Sequence, residues 1–144
     1  MAFSDGSEAP IIRALRKTGE LFLSLVALSD DDTIIGHVAF SPVTINGFHN
    51  DWFALGPIGV DPALQRAGIG RALVASGIAA LMERGAAGCA LIGSPAIYSR
   101  FGFESDGRLT HGDVPTRIVQ RVIFSGPAPQ GELKFASSFE AGNY

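Results

Sequence analysis

At 144 residues the chain is long enough for one domain around one core and short for two of ordinary size. Its formal net charge of −3 offers none of the clustered basic excess that nucleic-acid binding uses, so nucleic acid is not an expected partner. The lone Cys89 excludes an intramolecular disulfide and a multi-cysteine metal site, and suits a reducing compartment. Apolar residues make up 47% and charged residues 17%, which predicts covered sheet and packed helix rather than long solvated linkers. The opening Met1-Ala2-Phe3-Ser4-Asp5 lacks a basic start and an apolar run, and no stretch holds eighteen uninterrupted apolar residues. A soluble, cytoplasmic protein with no membrane partner is therefore expected.

In chain order, the run from Ala9 to Thr18 places Ile12 and Leu15 at helical spacing before Gly19, which predicts a helix. Leu21 to Leu28 and Thr33 to Phe40 read as two antiparallel strands joined by the acidic turn Ser29-Asp30-Asp31-Asp32. Val43-Thr44-Ile45 reads as a third strand and Trp52-Phe53-Ala54-Leu55 as a fourth, around the turn residues Asn46-Gly47 and His49-Asn50-Asp51. The fourth strand runs on through Gly56-Pro57-Ile58-Gly59-Val60. Proline cannot donate to a ladder and glycine weakens one, so a bulge or splay is expected near Pro57.

From Gly68 to Arg84, Ile69, Leu73, Gly77 and Leu81 recur every four residues with Val74, Ile78 and Met82 beside them, which predicts a long helix with one packed face. Gly85 and Gly88 close it, and Cys89-Ala90-Leu91-Ile92 has the form of a short buried parallel strand. Strand, loop, helix and strand make a crossover unit. Ala96 to Phe101 is at most a short helix, Arg117 to Phe124 alternates as a further strand, and a last strand falls within Glu132 to Phe139 after Gly126-Pro127-Ala128-Pro129. No internal repeat is present. The domain is thus read as 1–126, with 127–144 as a strand and tail of the same unit.

The informative stretch is Val60-Asp61-Pro62 followed by Gln65-Arg66-Ala67-Gly68-Ile69-Gly70-Arg71, between a strand and a helix start. A helix N-terminus leaves backbone N–H groups unpaired and carries partial positive charge, so a glycine-bearing loop there suits an anion, a pyrophosphate above all. Arg66 and Arg71 either add charge at its edge or are ordinary solvated arginines. The Gly-Lys-Ser/Thr ending of a Walker loop is absent, and Leu73 occupies the place of the third glycine of a dinucleotide fingerprint. An acyl-CoA loop remains, against the alternative that both glycines serve close packing of helix on strand.

Leu55 to Pro62 followed by Gln65 to Gly70 resembles the cofactor-binding motif of the GNAT acyltransferase superfamily. Tyr98-Ser99-Arg100-Phe101-Gly102-Phe103 is similar to its downstream Tyr-x-x-x-Gly-Phe element, and Gly93 to Phe103 resembles the YhbS-like branch in particular. The resemblance covers Glu8 to Phe103. It implies an α/β fold with a mixed, splayed sheet of six or seven strands and helices on both faces. It also implies that backbone amides of the Ile58-Gly59-Val60 stretch meet the pantetheine and thioester of acetyl-CoA, and that those of Gln65, Arg66, Ala67, Gly68, Ile69, Gly70 and Arg71 hold the pyrophosphate. No metal is implied.

The implied reaction is direct attack of a primary amine, from a small molecule or a peptide, on the thioester within a ternary complex. Tyr98 matches the family tyrosine near the CoA sulfur, and a phenol is protonated at neutral pH and can donate to the leaving thiolate; its alternative is an aromatic that only closes the slot. For the base, His37 reads as a structural or solvent-facing strand residue and His49 as a surface turn residue. His111, with Asp113, is the better placed of weak candidates, Ser94 could relay a proton through water, and ordered water alone needs no marker residue. Cys89 reads as a small buried hydrophobe, and Trp52, Phe53, Phe101 and Phe103 as core or slot walls. The family's opening strand and much of its first helix are expected to be missing, with the pattern starting at a helix end near Ile11 to Leu15. Gly93-Ser94-Pro95 stands where many relatives carry an asparagine. The rival readings are a non-catalytic acyl-CoA-binding sensor and a module in which both motifs only pack; a homodimer is compatible with either class.

Overall fold

The computed structural model describes residues 11–16, 23–60 and 68–135, the first of these stretches as backbone. Ile11–Arg16 is a strand, β1, and not the helix expected there; it lies antiparallel to β2, Leu23–Leu28, with Ile11 opposite Leu28 and Arg16 opposite Ser24. A run this short fits either period, and two adjacent β-branched isoleucines beside an open strand edge decide it for the sheet. The remainder of that expected helix lies outside the described residues.

β2 pairs with β3, Ile34–Ile45, which joins the second and third expected strands into one of 12 residues. Pro42 does not break it. On one edge of β3 the β2 partner nearest it is that of Phe40 and the first partner of the final strand is that of Val43, so Pro42 falls where that edge has no neighbour among the described residues. β3 pairs in turn with β4, Trp52–Val60. A crossover through helix α1, Ile69–Arg84, leads to β5, Gly88–Ile92, parallel to β4. The one-turn helix α2, Pro95–Tyr98, and a 3-10 turn at Ser99–Phe101 precede β6, Leu109–Thr110. β7, Val119–Ile123, pairs antiparallel with β5, and β8, Gly131–Phe135, pairs with both β6 and the end of β3. The order is β1-β2-β3-β4-β5-β7, with β8 and β6 curling off the far end of β3. This is the mixed α/β sheet the sequence implies.

α1 covers one face, burying Ile69, Leu73, Val74, Gly77 and Leu81 against Phe40, Phe53, Leu55 and Leu91. Met82, expected beside that stripe, is instead 57% exposed. The second face holds Val43, Trp52, Leu109, Val119 and Leu133, closed among the described residues by β6, β8 and their connections rather than by a long helix. No helix among the described residues is long and apolar enough to cross a membrane. Gly77 lets α1 approach the sheet: a Cβ there would stand 2.0 Å from Phe40 Cε1, on a ring that is itself fully buried. Overpacking of this kind costs about 1–3 kcal/mol or more. Gly77→Ala is therefore expected to lower the unfolding free energy by at least about 2 kcal/mol in urea denaturation; a change within 0.5 kcal/mol of zero, roughly the error of such a measurement, would contradict this packing.

Candidate functional site

The site begins with the parting of two strands. β5 pairs with β4 only from Trp52 opposite Gly88 to Ala54 opposite Ala90, whereas β7 keeps β5 company along its whole length to Ile92. Beyond Ala54, β4 has no strand partner on that edge among the described residues. Its other edge is irregular: Val38 faces Ile58 and Phe40 faces Leu55, so two steps on β3 match three on β4. Gly56, at φ +135, supplies a backbone conformation that side chains disfavour, and the bulge stands where Pro57 had predicted it. After the bulge, the Gly59 carbonyl lies 3.2 Å from the place a Gly36 Cβ would take, on the β3 side. Strand backbone alternates, so the polar groups of Ile58 and Val60 turn to the opposite edge, where β5 has left. Unpaired backbone groups on such an edge hydrogen-bond to solvent or to an extended ligand laid against them.

α1 starts at the mouth of this gap. Gly68 caps it at φ +83, and among the described residues no side chain caps the first turn and no acidic residue stands in it. Its carbonyl accepts the Ala72 N–H at 3.0 Å, and the earlier amides of the first turn have no partner among the described residues. The two glycines have separate reasons. Gly68 sits in open space, and its positive φ is what requires glycine. Gly70 lies inside the helix, and among the described residues a Cβ there would meet only Val60 Cγ2, at 3.7 Å. Packing against the described residues therefore does not demand a glycine at 70, although alanine would favour the helix by about 1 kcal/mol. The expected loop residues Gln65, Arg66 and Ala67 lie outside the described residues. An open cavity of about 480 Å³ beside this turn is lined by Arg71, Arg100 and Phe101. Arg71 and Arg100 are both exposed, so their charges reach a ligand without a burial cost.

Tyr98 closes the β5 end. Its ring is half-buried, stands edge-on to Phe103 with centroids 6.2 Å apart, and rests on Gly93, where a Cβ would come within 2.9 Å of Tyr98 Cε2. Burial pushes its phenol above the ordinary value of 10.0, so the hydroxyl keeps its proton. Gly93 is itself pinned: its N–H donates to the Ile118 carbonyl at 3.1 Å, and its carbonyl accepts Gln120 Nε2 at 3.0 Å from a side chain that is fully buried. The exposed Ser94 follows, and its carbonyl accepts the N–H groups of Ile97 and Tyr98.

The other candidates separate. His111 Nδ1–H donates to the Leu133 carbonyl at 2.8 Å and its ring stacks edge-on against Phe135 at 4.9 Å. It belongs with β8, which meets β3 at Val43–Ile45, on the order of 20 Å along that strand from Gly36–Val38 at ~3.3 Å per residue. It does not border the gap. His49 likewise donates to the Val43 carbonyl, at 3.0 Å, and packs on Phe53. Cys89 is fully buried and desolvation pushes its thiol far up, which leaves it protonated and inert as a nucleophile. Phe53 and Phe103 lie in the core under α1, Trp52 in the second core, and Phe101 lines the open cavity. Sequence reasoning passed over Arg100 and the supports of Tyr98, because a surface arginine inside a motif and a buried glutamine in a strand carry no local signal of their own.

With this geometry in view, the comparisons are direct. The chain belongs to the acetyltransferase (GNAT) family, whose model matches residues 3–103. Over 103 residues it is 43% identical to the uncharacterized N-acetyltransferase YhbS of Escherichia coli K12, covering 72% of this chain and 62% of that protein. The chain thus spans less than two thirds of the curated relatives it matches. Among solved structures it is similar to a GNAT family acetyltransferase from Brucella melitensis in complex with acetyl-CoA, at 40% identity and a TM-score of 0.72 over 84% of this chain and 70% of that one. It is also similar to Escherichia coli YhbS in complex with CoA, at 33% identity and a TM-score of 0.80 over 87% and 73% of the two chains.

The environment of Tyr98 is measurable because only one other tyrosine, Tyr144, is present. In a Tyr144→Phe protein, absorbance at 295 nm is expected to show the phenol titrating above 10.0. A folded-state value raised in this way contributes stability that is complete below the unfolded value and lost as pH rises through the folded one. The unfolding free energy should accordingly fall in strongly alkaline solution. Adding Gly93→Ala should displace the ring and bring the titration back down; a phenol titrating at or below 10.0 before that change would contradict the burial described.

Proposed function

We propose that the chain is an acetyl-CoA-dependent N-acetyltransferase that moves an acetyl group to a primary amine, on a small molecule or a peptide, by direct attack in a ternary complex. The observation that carries this reading is Gly70: a glycine inside a helix whose Cβ would make only an ordinary contact among the described residues, at the helix end beside the strand gap. A bare backbone there permits close approach of a phosphate to the helix amides. Acetyl-CoA supplies a thioester, an acyl group activated towards amines.

The chain's own groups divide the work. First-turn amides from Gly68 to Arg71 take the pyrophosphate, with Arg71 and Arg100 adding charge from either side of the open cavity. The amides of Gln65, Arg66 and Ala67, which precede Gly68 in the sequence, join in holding the pyrophosphate under this proposal. Backbone groups of Ile58 and Val60 hold the pantetheine arm in the manner of an added strand, with Gly59 between them turned to β3, and one of these amides faces the thioester oxygen, where negative charge develops. Tyr98, protonated and with no hydrogen-bond partner for its hydroxyl among the described residues, gives its proton to the departing sulfur. These donors are fixed before substrate arrives, which is what makes an electrostatic site effective.

Calorimetric titration with acetyl-CoA tests this first. Micromolar binding is expected, weakened at least ten-fold by Gly70→Val in a protein that remains folded. Tyr98→Phe should leave that binding in place and lower acetyl transfer to a responsive amine by about 10²-fold or more, the lower end of proton-transfer catalysis. A folded parent protein that fails to bind at millimolar acetyl-CoA would defeat the proposal. Full turnover by Tyr98→Phe would remove the acid from it.

A further inference from the structure

The cofactor reading leaves the proton of the attacking amine without a destination. α1 fills one face of β3 and β4: Ile69 and Leu73 stand over Gly36, and Ile58 and Val60 pack into the core on that side. An acceptor therefore reaches the gap from the opposite face. Residues of a strand alternate between faces, and Gly36, Val38 and Phe40 take the α1 side, so His37 takes the other. Its partner across the ladder is Gly59. A Cβ on Gly59 would lie 3.4 Å from His37 Cε1 and 3.5 Å from Nδ1, so the imidazole leans across β4 over Gly59. Past Gly59 lies the unpaired edge of β4.

Two further facts single this ring out. It is exposed, unlike His49 and His111, whose Nδ1 atoms are tied to backbone carbonyls. And the strands β2, β3 and β4, with sequences LSLVAL, IIGHVAFSPVTI and WFALGPIGV, hold no other titratable side chain. In β5 the only one is Cys89, buried and turned into the core. Val26, which faces His37 from β2, and Gly59, which faces it from β4, are both uncharged.

We propose that His37 is the catalytic base of this site, taking the proton of the attacking amine from the face of the sheet opposite α1. The inference rests on the cofactor reading above. In the step, the amine nitrogen forms a bond to the acyl carbon and the carbon–sulfur bond breaks. The nitrogen's proton passes to the imidazole, directly or through one water, and the thiolate takes its proton from Tyr98. The acid and the base then work from opposite faces of the same gap. Imidazole is suited to this because its neutral ring carries one acceptor nitrogen. At Gly59 a Cβ would just touch the ring, at 3.4 Å from Cε1, so a branched side chain there is expected to displace the imidazole.

The test needs no acceptor. Three histidines are present, and His37→Gln identifies the His37 ring signals in a proton–nitrogen or proton–carbon NMR spectrum. Acetyl-CoA is expected to shift the His37 signals, while adenosine 3′,5′-bisphosphate, which lacks the pantetheine and thioester, leaves them in place; Gly59→Val should abolish the shift. If calorimetry shows that acetyl-CoA binds and the His37 signals do not move, or move equally with the bisphosphate, His37 is not at the thioester and the proposal fails while the cofactor reading stands. If acetyl-CoA does not bind, both fail. For any amine that is turned over, His37→Gln should reduce kcat by about 10²-fold or more, and by more at neutral than at alkaline pH, where the free amine needs less help. A kcat within three-fold of the parent would overturn the role.

Discussion

The account depends on one separation: β5 holds to β4 for three residue pairs and then follows β7 away. A sheet ordinarily satisfies the backbone groups of every interior strand, and an interior strand with one bare edge is costly unless something replaces the lost neighbour. Here the cost is localised. Gly56 and Pro57 put the bulge at the start of the bare stretch, the long β3 steadies its other edge, and the Phe40 ring under Gly77 ties β3 to α1. The helix that crosses from β4 to β5 then begins where the gap opens, so an anion site and an extended-ligand site share one mouth. Neither needs side-chain chemistry.

The same arrangement divides the residues by face. On the α1 side lie Ile58, Val60 and the Tyr98 ring, with Arg71 and Arg100 at the rim. On the other side, His37 lies over Gly59. Glycine recurs at these places for unrelated causes: backbone conformation at Gly56 and Gly68, and room for the Tyr98 ring at Gly93. At Gly59 and Gly70 a Cβ would make only ordinary contacts among the described residues.

How much of this was legible in the sequence follows from what each residue must do locally. The four-residue spacing from Ile69 to Leu81 and the proline and glycines of Gly56–Val60 act on the chain at their own positions, so the crossover helix and the bulge were readable. Ile11–Arg16 was not, because a six-residue run of mixed apolar residues and arginines is settled by the strand beside it. Ile34–Ile45 was read as two strands and is one, because a proline such as Pro42 is tolerated where no described neighbour needs its missing N–H. Histidine roles were the least readable. His111 drew attention by its loop position and is held by β8, whereas His37, which looked like a plain strand residue, gains its place only when Gly59 is set beside it.

The central claim, a bare β4 edge that awaits an extended ligand, is open to amide hydrogen exchange at Ile58 and Val60. Without ligand, these two amides should exchange much faster than that of Gly59, which the β3 ladder protects, and saturating acetyl-CoA should slow both. Protection of Ile58 and Val60 in the free protein equal to that of Gly59, or exchange at both sites unchanged by bound acetyl-CoA, would contradict the account.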